Sequence, residues 1–146
     1  MRRKRGPQEI WRSRGGPSTK IHALVDALGN PVKLLLSPGQ AHEMTKAFEL
    51  LADVRDAYVA GDSAYCSSPL IAQLVAQRCT PVIAMNPTHR ARRDDPFDTH
   101  LYRERCLVEH FFQRIKRFRR IAMRFEKLAR NFMAFLHLAS MLVWLL

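Results

Sequence analysis

Glu109 is the residue whose type and surroundings first suggest chemistry. It lies in the stretch LYRERCLVEHFFQRIKRF (101–118), which is otherwise dense in arginine, lysine and large apolar residues. An ion pair with Arg105, four residues earlier on a solvated helix face, would explain it. A metal-binding carboxylate that faces a polyanion would also explain it, because hard divalent cations prefer oxygen ligands.

A single long helix over Leu101–Phe125 is the element that would position Glu109. At 3.6 residues per turn, offsets of 0, 3, 7 and 14 residues place four side chains on one face of that helix. They are Tyr102, Arg105, Glu109 and Lys116. Apolar residues at positions 108, 112 and 115 would form the side that packs on a sheet.

The rest of the chain reads as a mixed α/β protein that begins with a hairpin. The predicted strands are Lys20–Val25, Pro31–Leu36, Tyr58–Gly61 and Pro81–Met85, and the other predicted helices are Glu43–Ala52, Ser67–Gln77 and Glu126–Trp144. Gly29, Asn30 and Pro31 indicate the hairpin turn, and Ser67 with Pro69 indicates a helix start. The first 19 residues, rich in arginine, glycine and proline, are expected to form a flexible basic arm.

Asp62 directly follows the strand predicted at Tyr58–Gly61. By itself it fits a polar residue that ends a strand, starts a turn or caps the next helix.

The overall charge favours nucleic acid as the partner. The chain of 146 residues has 24 Lys+Arg against 13 Asp+Glu, a formal net charge of +11. Such an excess attracts phosphate backbones or anionic lipid surfaces, of which nucleic acid is the commoner partner. The basic run from Arg114 to Arg130 supports phosphate contact, with Arg114, Arg117, Arg119 and Arg120 as candidate DNA-binding residues beside Lys116.

Cysteine usage and hydropathy exclude several other classes. Three widely spaced cysteines form no C-x-x-C pair, so neither a zinc ribbon nor a disulfide framework is indicated, and a reducing cytoplasm fits. The basic start is followed by no apolar segment of a secretory signal. The apolar run Phe132–Leu146 is shorter than the roughly 20 residues of a membrane span, so a buried terminal helix is favoured over a membrane anchor.

The spacing Y-x-x-R-x-x-x-E-x-x-x-x-x-x-K, filled by Tyr102, Arg105, Glu109 and Lys116, resembles the signature of DDE-class insertion-sequence transposases. The surrounding text resembles the insertion-sequence-five family in three segments. They are RSRGGPSTKIHALVDALGNPVKLLLSPGQAHE, YVAGDSAY and LARNFMAFLHLASMLVWL. The resemblance covers residues 12–146 and leaves residues 1–11 outside it as a basic arm.

This resemblance implies a ribonuclease-H-like fold, in which helices flank one mixed sheet. It also implies a bacterial, nucleoid-associated enzyme that cleaves and joins DNA strands with Mg²⁺ or Mn²⁺. Asp62 matches the family's second metal-binding carboxylate and Glu109 the third. Tyr102, Arg105 and Lys116 match residues that position the DNA backbone. Ser63, Ala64 and Cys66 depart from the family pattern beside Asp62, whereas Tyr65 is retained.

The family's first aspartate has no counterpart here, because it lies on a strand upstream of the RSRGG segment and residues 1–11 contain no aspartate. We therefore expect a partial catalytic domain that lacks its first central strand, supplies two of three carboxylates, and does not catalyse strand transfer alone. It would act as a homo-oligomer or with the missing N-terminal part. The alternative is a non-catalytic DNA-binding polypeptide that regulates or co-assembles with an intact transposase.

Overall fold

The computed structural model describes residues 6–13, 16–85 and 98–145. The chain divides into two compact units. The first contains Met1–Ala41 and Leu107–Leu146, and the second contains His42–Cys106.

An antiparallel sheet of three strands forms one side of the first unit. Strand β1 (Trp11–Ser13) pairs with β2 (Gly16–Val25), which pairs with β3 (Pro31–Pro38) in a register that sets Ile21 opposite Leu36. The β2–β3 hairpin confirms the sequence prediction. The flexible arm predicted for residues 1–19 is wrong for 11–13 and 16–19, because Gly16 does not break the chain but begins β2 with a φ of +106°, which glycine adopts readily.

The turn between β2 and β3 is organised by Asp26. Its Oδ1 accepts the backbone N–H groups of Leu28 at 2.8 Å and Asn30 at 2.9 Å, and Gly29 takes a φ of +81°. Burial acts to raise the pKa of Asp26, but the hydrogen bonds outweigh it and the pKa is lowered. Sequence reasoning identified the turn from Gly29, Asn30 and Pro31, but did not predict that Asp26 accepts hydrogen bonds from the turn's backbone N–H groups.

Three helices of the first unit pack on this sheet and are α4 (Cys106–Lys116), α5 (Arg119–Ala122) and α6 (Ala129–Leu145). They bury an apolar core with β3 that includes Leu36, Phe111, Ile115, Ile121, Phe132 and Leu136. The indole N–H of Trp144 donates to the carbonyl of Pro31 at 3.0 Å, which ties the end of α6 to the start of β3. The closing helix is therefore confirmed, with its start at Ala129 rather than Glu126.

The second unit contains a parallel pair of strands and the remaining helices. Its elements are α1 (Met44–Leu50), β4 (Tyr58–Gly61), a 3₁₀ turn (Ser63–Tyr65), α2 (Ser68–Ala76), β5 (Thr80–Ile83) and α3 (Thr99–Arg103). Strand β4 has the predicted bounds. Ser67 caps α2 by accepting the N–H of Leu70 at 3.3 Å, with Pro69 in the first turn, as predicted.

Two predictions about the architecture need correction. The long helix Leu101–Phe125 is three helices. The break between α4 and α5 has a packing reason, because a continuous helix would turn Ile121 about 120° away from Ile115, and both are buried in one core. The expected single mixed sheet is not present in the described part of the chain, where the strands form one antiparallel and one parallel sheet. The polar segment THRARRDDPFDTH (88–100) is predicted from the sequence to be a loop; its residues up to 97 lie outside the described residues, and its last two begin α3.

Candidate functional site

Asp62 lies at the carboxyl end of β4, where the chain leaves the parallel pair of strands. Its Oδ1 accepts the N–H of Ala64 at 2.9 Å and its carbonyl accepts the N–H of Tyr65 at 3.1 Å, so it caps the 3₁₀ turn. The side chain is exposed. Because a carboxylate has about four acceptor sites, one capping bond leaves oxygen available for a cation.

Tyr65 lies near enough to Asp62 and to a second acidic residue of the same unit for their charges to affect its pKa. Burial raises the pKa of Tyr65, and the negative charges of Glu43 and Asp62 raise it further. Glu43 directly precedes α1. Sequence reasoning missed Glu43, because a single glutamate at the start of a short helix is not distinguishable from an ordinary first-turn acid.

Tyr102 and Arg105 also belong to the second unit. Helix α3, capped by Asp98, packs near β4 and β5 and carries Tyr102. Arg105 follows the helix, and its guanidinium carbon lies 5.1 Å from the centre of the Tyr102 ring, within cation–π range. The stacked pair presents an exposed cation on a fixed aromatic support.

Glu109 and Lys116 belong to the first unit, on α4. Both are exposed, and their seven-residue spacing places them on one face of this helix. Glu109 lies in the first turn, where the helix dipole favours a carboxylate, and Lys116 lies in the last turn, where it favours a cation. The predicted stripe of four residues on one helix is therefore wrong, because the helix is interrupted at Glu104–Arg105 and the chain changes unit after Cys106.

An exposed basic surface covers α4 and α5 of the first unit. Its members are Arg114, Lys116, Arg117, Arg119 and Arg120. Arg120 is partly committed, since it bonds Glu126 at 3.1 Å and stacks on Phe135 at 4.8 Å. The other members are exposed on different sides of the helices, with Arg114 about 160° around α4 from Lys116, and each could contact a phosphate.

Arg124 does not belong to this surface, although it falls within the basic run of the sequence. Its guanidinium donates to the carbonyl of Glu9 at 3.1 Å, to the carbonyl of Gln8 and to the Thr19 hydroxyl, and it stacks on the Phe132 ring at 4.8 Å. Burial lowers its pKa, opposed by the charges of Glu126 and Glu9. It is a structural clamp on the N-terminal segment.

Comparison with known proteins decides the family. Residues 3–144 match the family model described as the transposase DDE domain. The chain belongs to this family. It is also 40% identical over 131 residues to a Brucella ovis protein named "putative transposase for insertion sequence element IS6501", covering 88% of this chain and 98% of that protein. No solved structure matches the chain.

A transposase DDE domain carries out polynucleotide cleavage and transfer during DNA transposition, chemistry that in such domains uses divalent metal. Asp62 and Glu109 supply oxygen donors of the kind such ions prefer. Within residues 6–13, 16–85 and 98–145, however, no group of three or more His, Cys, Asp or Glu side chains could hold a metal ion. The two carboxylates are therefore the right type of ligand for a divalent metal ion, but they are fewer than the three carboxylates that the resemblance implies.

The apolar C-terminal run forms α6, and none of the helices in the described ranges is long and apolar enough to cross a bilayer.

Proposed function

We propose that this chain is a partial catalytic domain of an insertion-sequence-five-type transposase with a ribonuclease-H-like sheet that lacks its first central strand. Asp62 and Glu109 are two of its three metal-binding carboxylates, for Mg²⁺ or Mn²⁺. The main support for this proposal is one edge of β4, the strand that ends at Asp62, because that edge pairs with no strand among the described residues.

The hydrogen bonds of the parallel pair indicate which edge is open. Thr80 N donates to the carbonyl of Ala57 at 2.9 Å and Ala84 N donates to that of Gly61 at 3.4 Å. In a regular parallel ladder, alternate residues bond to the same neighbour, so the backbone groups of Tyr58 and Ala60 face away from β5.

Proline marks β5 as the outer strand. Pro81 points its backbone nitrogen away from β4 and has no N–H to offer a further strand, which is the usual position of proline in an edge strand. Parallel sheets of only two strands are rare, because parallel strands are normally buried on both faces within a larger sheet. A missing strand would therefore add beside Tyr58 and Ala60, and its own carboxyl end would lie beside Asp62.

The roles of the remaining residues follow from their chemistry. A bound metal pair stabilises the attacking and leaving oxygens of an in-line phosphoryl displacement. Asp62, at the rigid end of a strand, and Glu109, on a packed helix, hold cations in place. Arg105, supported by Tyr102, and Lys116 donate to phosphate oxygens of the DNA backbone.

The basic surface of α4 and α5 provides sequence-independent DNA affinity in this proposal. Each phosphate neutralised releases counterions, so the logarithm of the binding constant falls with the logarithm of salt concentration by about 0.9 per contact on B-DNA. Replacing Arg117 with Gln should reduce that slope by about one contact. Replacing the exposed Arg78 of the second unit with Gln is the matched control and should leave the slope unchanged.

Strand cleavage is the direct test. The purified chain, incubated with terminal-repeat DNA and Mg²⁺ or Mn²⁺, should bind the DNA and produce no nicks by itself. Robust nicking that Glu109→Gln abolishes would refute the partial-domain proposal. Glu104→Gln, at an exposed glutamate five residues earlier, is the control for nuclease contamination.

A second candidate function is favoured by two observations, which are the basic surface of α4 and α5 and the lack of a group of three metal-ligating side chains in the described residues. The chain would be a non-catalytic DNA-binding polypeptide that regulates or co-assembles with an intact transposase on the bacterial nucleoid. DNA binding without any Mn²⁺ binding, unchanged by Asp62→Asn and Glu109→Gln, would favour this function over the first.

A further inference from the structure

Helix α6 is apolar on two opposite sides. One side is buried in the core of the first unit through Phe132, Leu136 and Val143. The other side exposes Leu138, Met141, Leu142 and Leu145, with 56, 59, 44 and 78% of each residue accessible. An α-helix that is hydrophobic all round is usually covered on both sides.

This exposed side continues into a groove between α5 and α6. The groove has a volume of about 270 Å³ and is lined by Phe118, Phe135, Leu138 and Leu142, among others, with Arg119 and Arg120 also contributing. From Ala134 to Leu145 the exposed polar side chain of α6 is His137, which lies about 100° around the helix from the middle of this apolar side. We call Ala134, Phe135, Leu138, Met141, Leu142 and Leu145 the α6 face.

We propose that the α6 face binds the α6 face of a second copy of this chain, with the two helices antiparallel about a two-fold axis. This surface and its occupant are inferred independently of the carboxylates and of the proposed function. The axis would pass near residue 140, so that Leu138 meets Leu142 of the second copy and Phe135 meets Leu145 of the second copy. The face is therefore complementary to itself, as a two-fold interface requires.

The size of the face suits a weak dimer. Its exposed side chains present on the order of 500 Å² of apolar surface, comparable with the largest patches on monomeric proteins. Two faces together would bury about 1,000 Å², which is the lower limit for a specific protein interface and is typical of transient association.

Charge supports the antiparallel arrangement. The last turn of α6 contains no basic residue, so its unpaired carbonyls keep the negative end of the helix dipole. In the antiparallel pair this end lies toward Arg119 and Arg120 of the second copy, which line the groove. The formal charge of +11 on each chain opposes association, so added salt should strengthen the dimer.

Sedimentation velocity of the full chain tests the proposal. Between about 5 and about 500 μM, the weight-average mass should rise from 16.9 kDa toward twice that value, at lower concentration in about 0.5 M than in about 0.1 M NaCl. Leu138→Glu and Leu142→Glu should abolish the rise. Val75→Glu, at a side chain on α2 that is 59% exposed, is the matched control and should retain it. Far-UV circular dichroism and cooperative thermal unfolding show that each variant is folded.

A disulfide test reports the geometry. Met141 lies close to the proposed axis, so position 141 of one chain lies near position 141 of the second copy. In a background where Cys66 and Cys106 are replaced by Ser, Met141→Cys should therefore form a disulfide between these two positions on mild oxidation. Val75→Cys in the same background should not.

Three results would overturn the proposal. The first is a mass that stays at that of one chain at both salt concentrations. The second is association that the Leu138→Glu and Leu142→Glu variants retain. The third is a monomer that binds phosphatidylcholine vesicles and loses this vesicle binding on Leu138→Glu substitution. DNA affinity should fall with salt while dimerisation rises, so the failure of this inference and that of the proposed function are distinguishable.

Discussion

Replacement of Asp62 separates its capping role from its proposed metal-binding role. Asn caps as well as Asp, because its amide oxygen can accept the N–H of Ala64 in the same geometry, whereas Ala cannot. Asp62→Asn should therefore keep the free energy of unfolding within about 0.5 kcal/mol of the original. Asp62→Ala should lose about 1 kcal/mol, the usual value of one capping bond.

These differences are measurable by thermal unfolding. For a chain of this length, about 1 kcal/mol corresponds to a fall in Tm of about 3 to 4 °C. We expect that fall for Asp62→Ala and almost none for Asp62→Asn. Only the negative charge differs between Asp62 and Asn in this comparison, because the hydrogen bond is conserved.

Manganese binding then reports the proposed role. Electron paramagnetic resonance of free Mn²⁺ should show at least about tenfold weaker binding for both Asp62 variants, since even residues behind a ligand contribute tenfold or more to metal affinity. Asp98→Asn is the matched control, because Asp98 caps α3 in the same way, accepting the N–H of His100, two residues later, at 2.9 Å. If Asp62→Asn bound Mn²⁺ as tightly as the unmodified chain, Asp62 would be a cap and nothing more.

The remaining predictions concern the framework around the candidate site. The pKa of Asp26 is lower in the folded chain than the ordinary value of 3.8, so the Asp26 carboxylate stabilises the fold above pH 3.8, and this stability is lost as the pH falls through the folded pKa. The urea midpoint of Asp26→Asn should therefore depend less on pH in this acidic range. Arg124→Lys should cost about 2 kcal/mol by losing several charge-assisted bonds, seen as faster hydrogen exchange around Glu9. Phe111→Ala should cost about 3 to 5 kcal/mol in denaturant unfolding, and Phe112→Ala, at a partly buried ring, less.

The elements that the sequence predicted well are those marked by local chemistry. Strand β4 is a short apolar run bounded by polar residues, and α2 begins with a capping serine and a proline in its first turn. In both, the residues that start or stop the element act through their own backbone neighbours. Such residues are enough to predict the ends of an element, because without them the backbone N–H groups at those ends would lack hydrogen-bond partners.

The long helix could not be divided from the sequence, because residues 99–145 contain neither glycine nor proline. The break at Arg117–Phe118 comes from packing, since Ile115 and Ile121 are buried in the same core and a continuous helix would separate them. The β1 strand was missed for a related reason. Glycines next to it resemble breakers, but Gly16 begins the paired strand. Tertiary contacts decide such cases, and a single sequence does not show them.

The spacing from Tyr102 to Lys116 also has a different physical basis from the helical face that first explained it. The direction of Arg105 is set by the Tyr102 ring on which it stacks, and the Glu109–Lys116 face is set by two turns of α4. Because the helix is interrupted at Glu104–Arg105, the spacing from Tyr102 to Lys116 is not imposed by one helix. Helix geometry therefore accounts for the Glu109–Lys116 pair, and ring stacking accounts for the Tyr102–Arg105 pair. The combination of the two pairs is explained by neither, and it is what the proposed binding of a shared DNA backbone would explain.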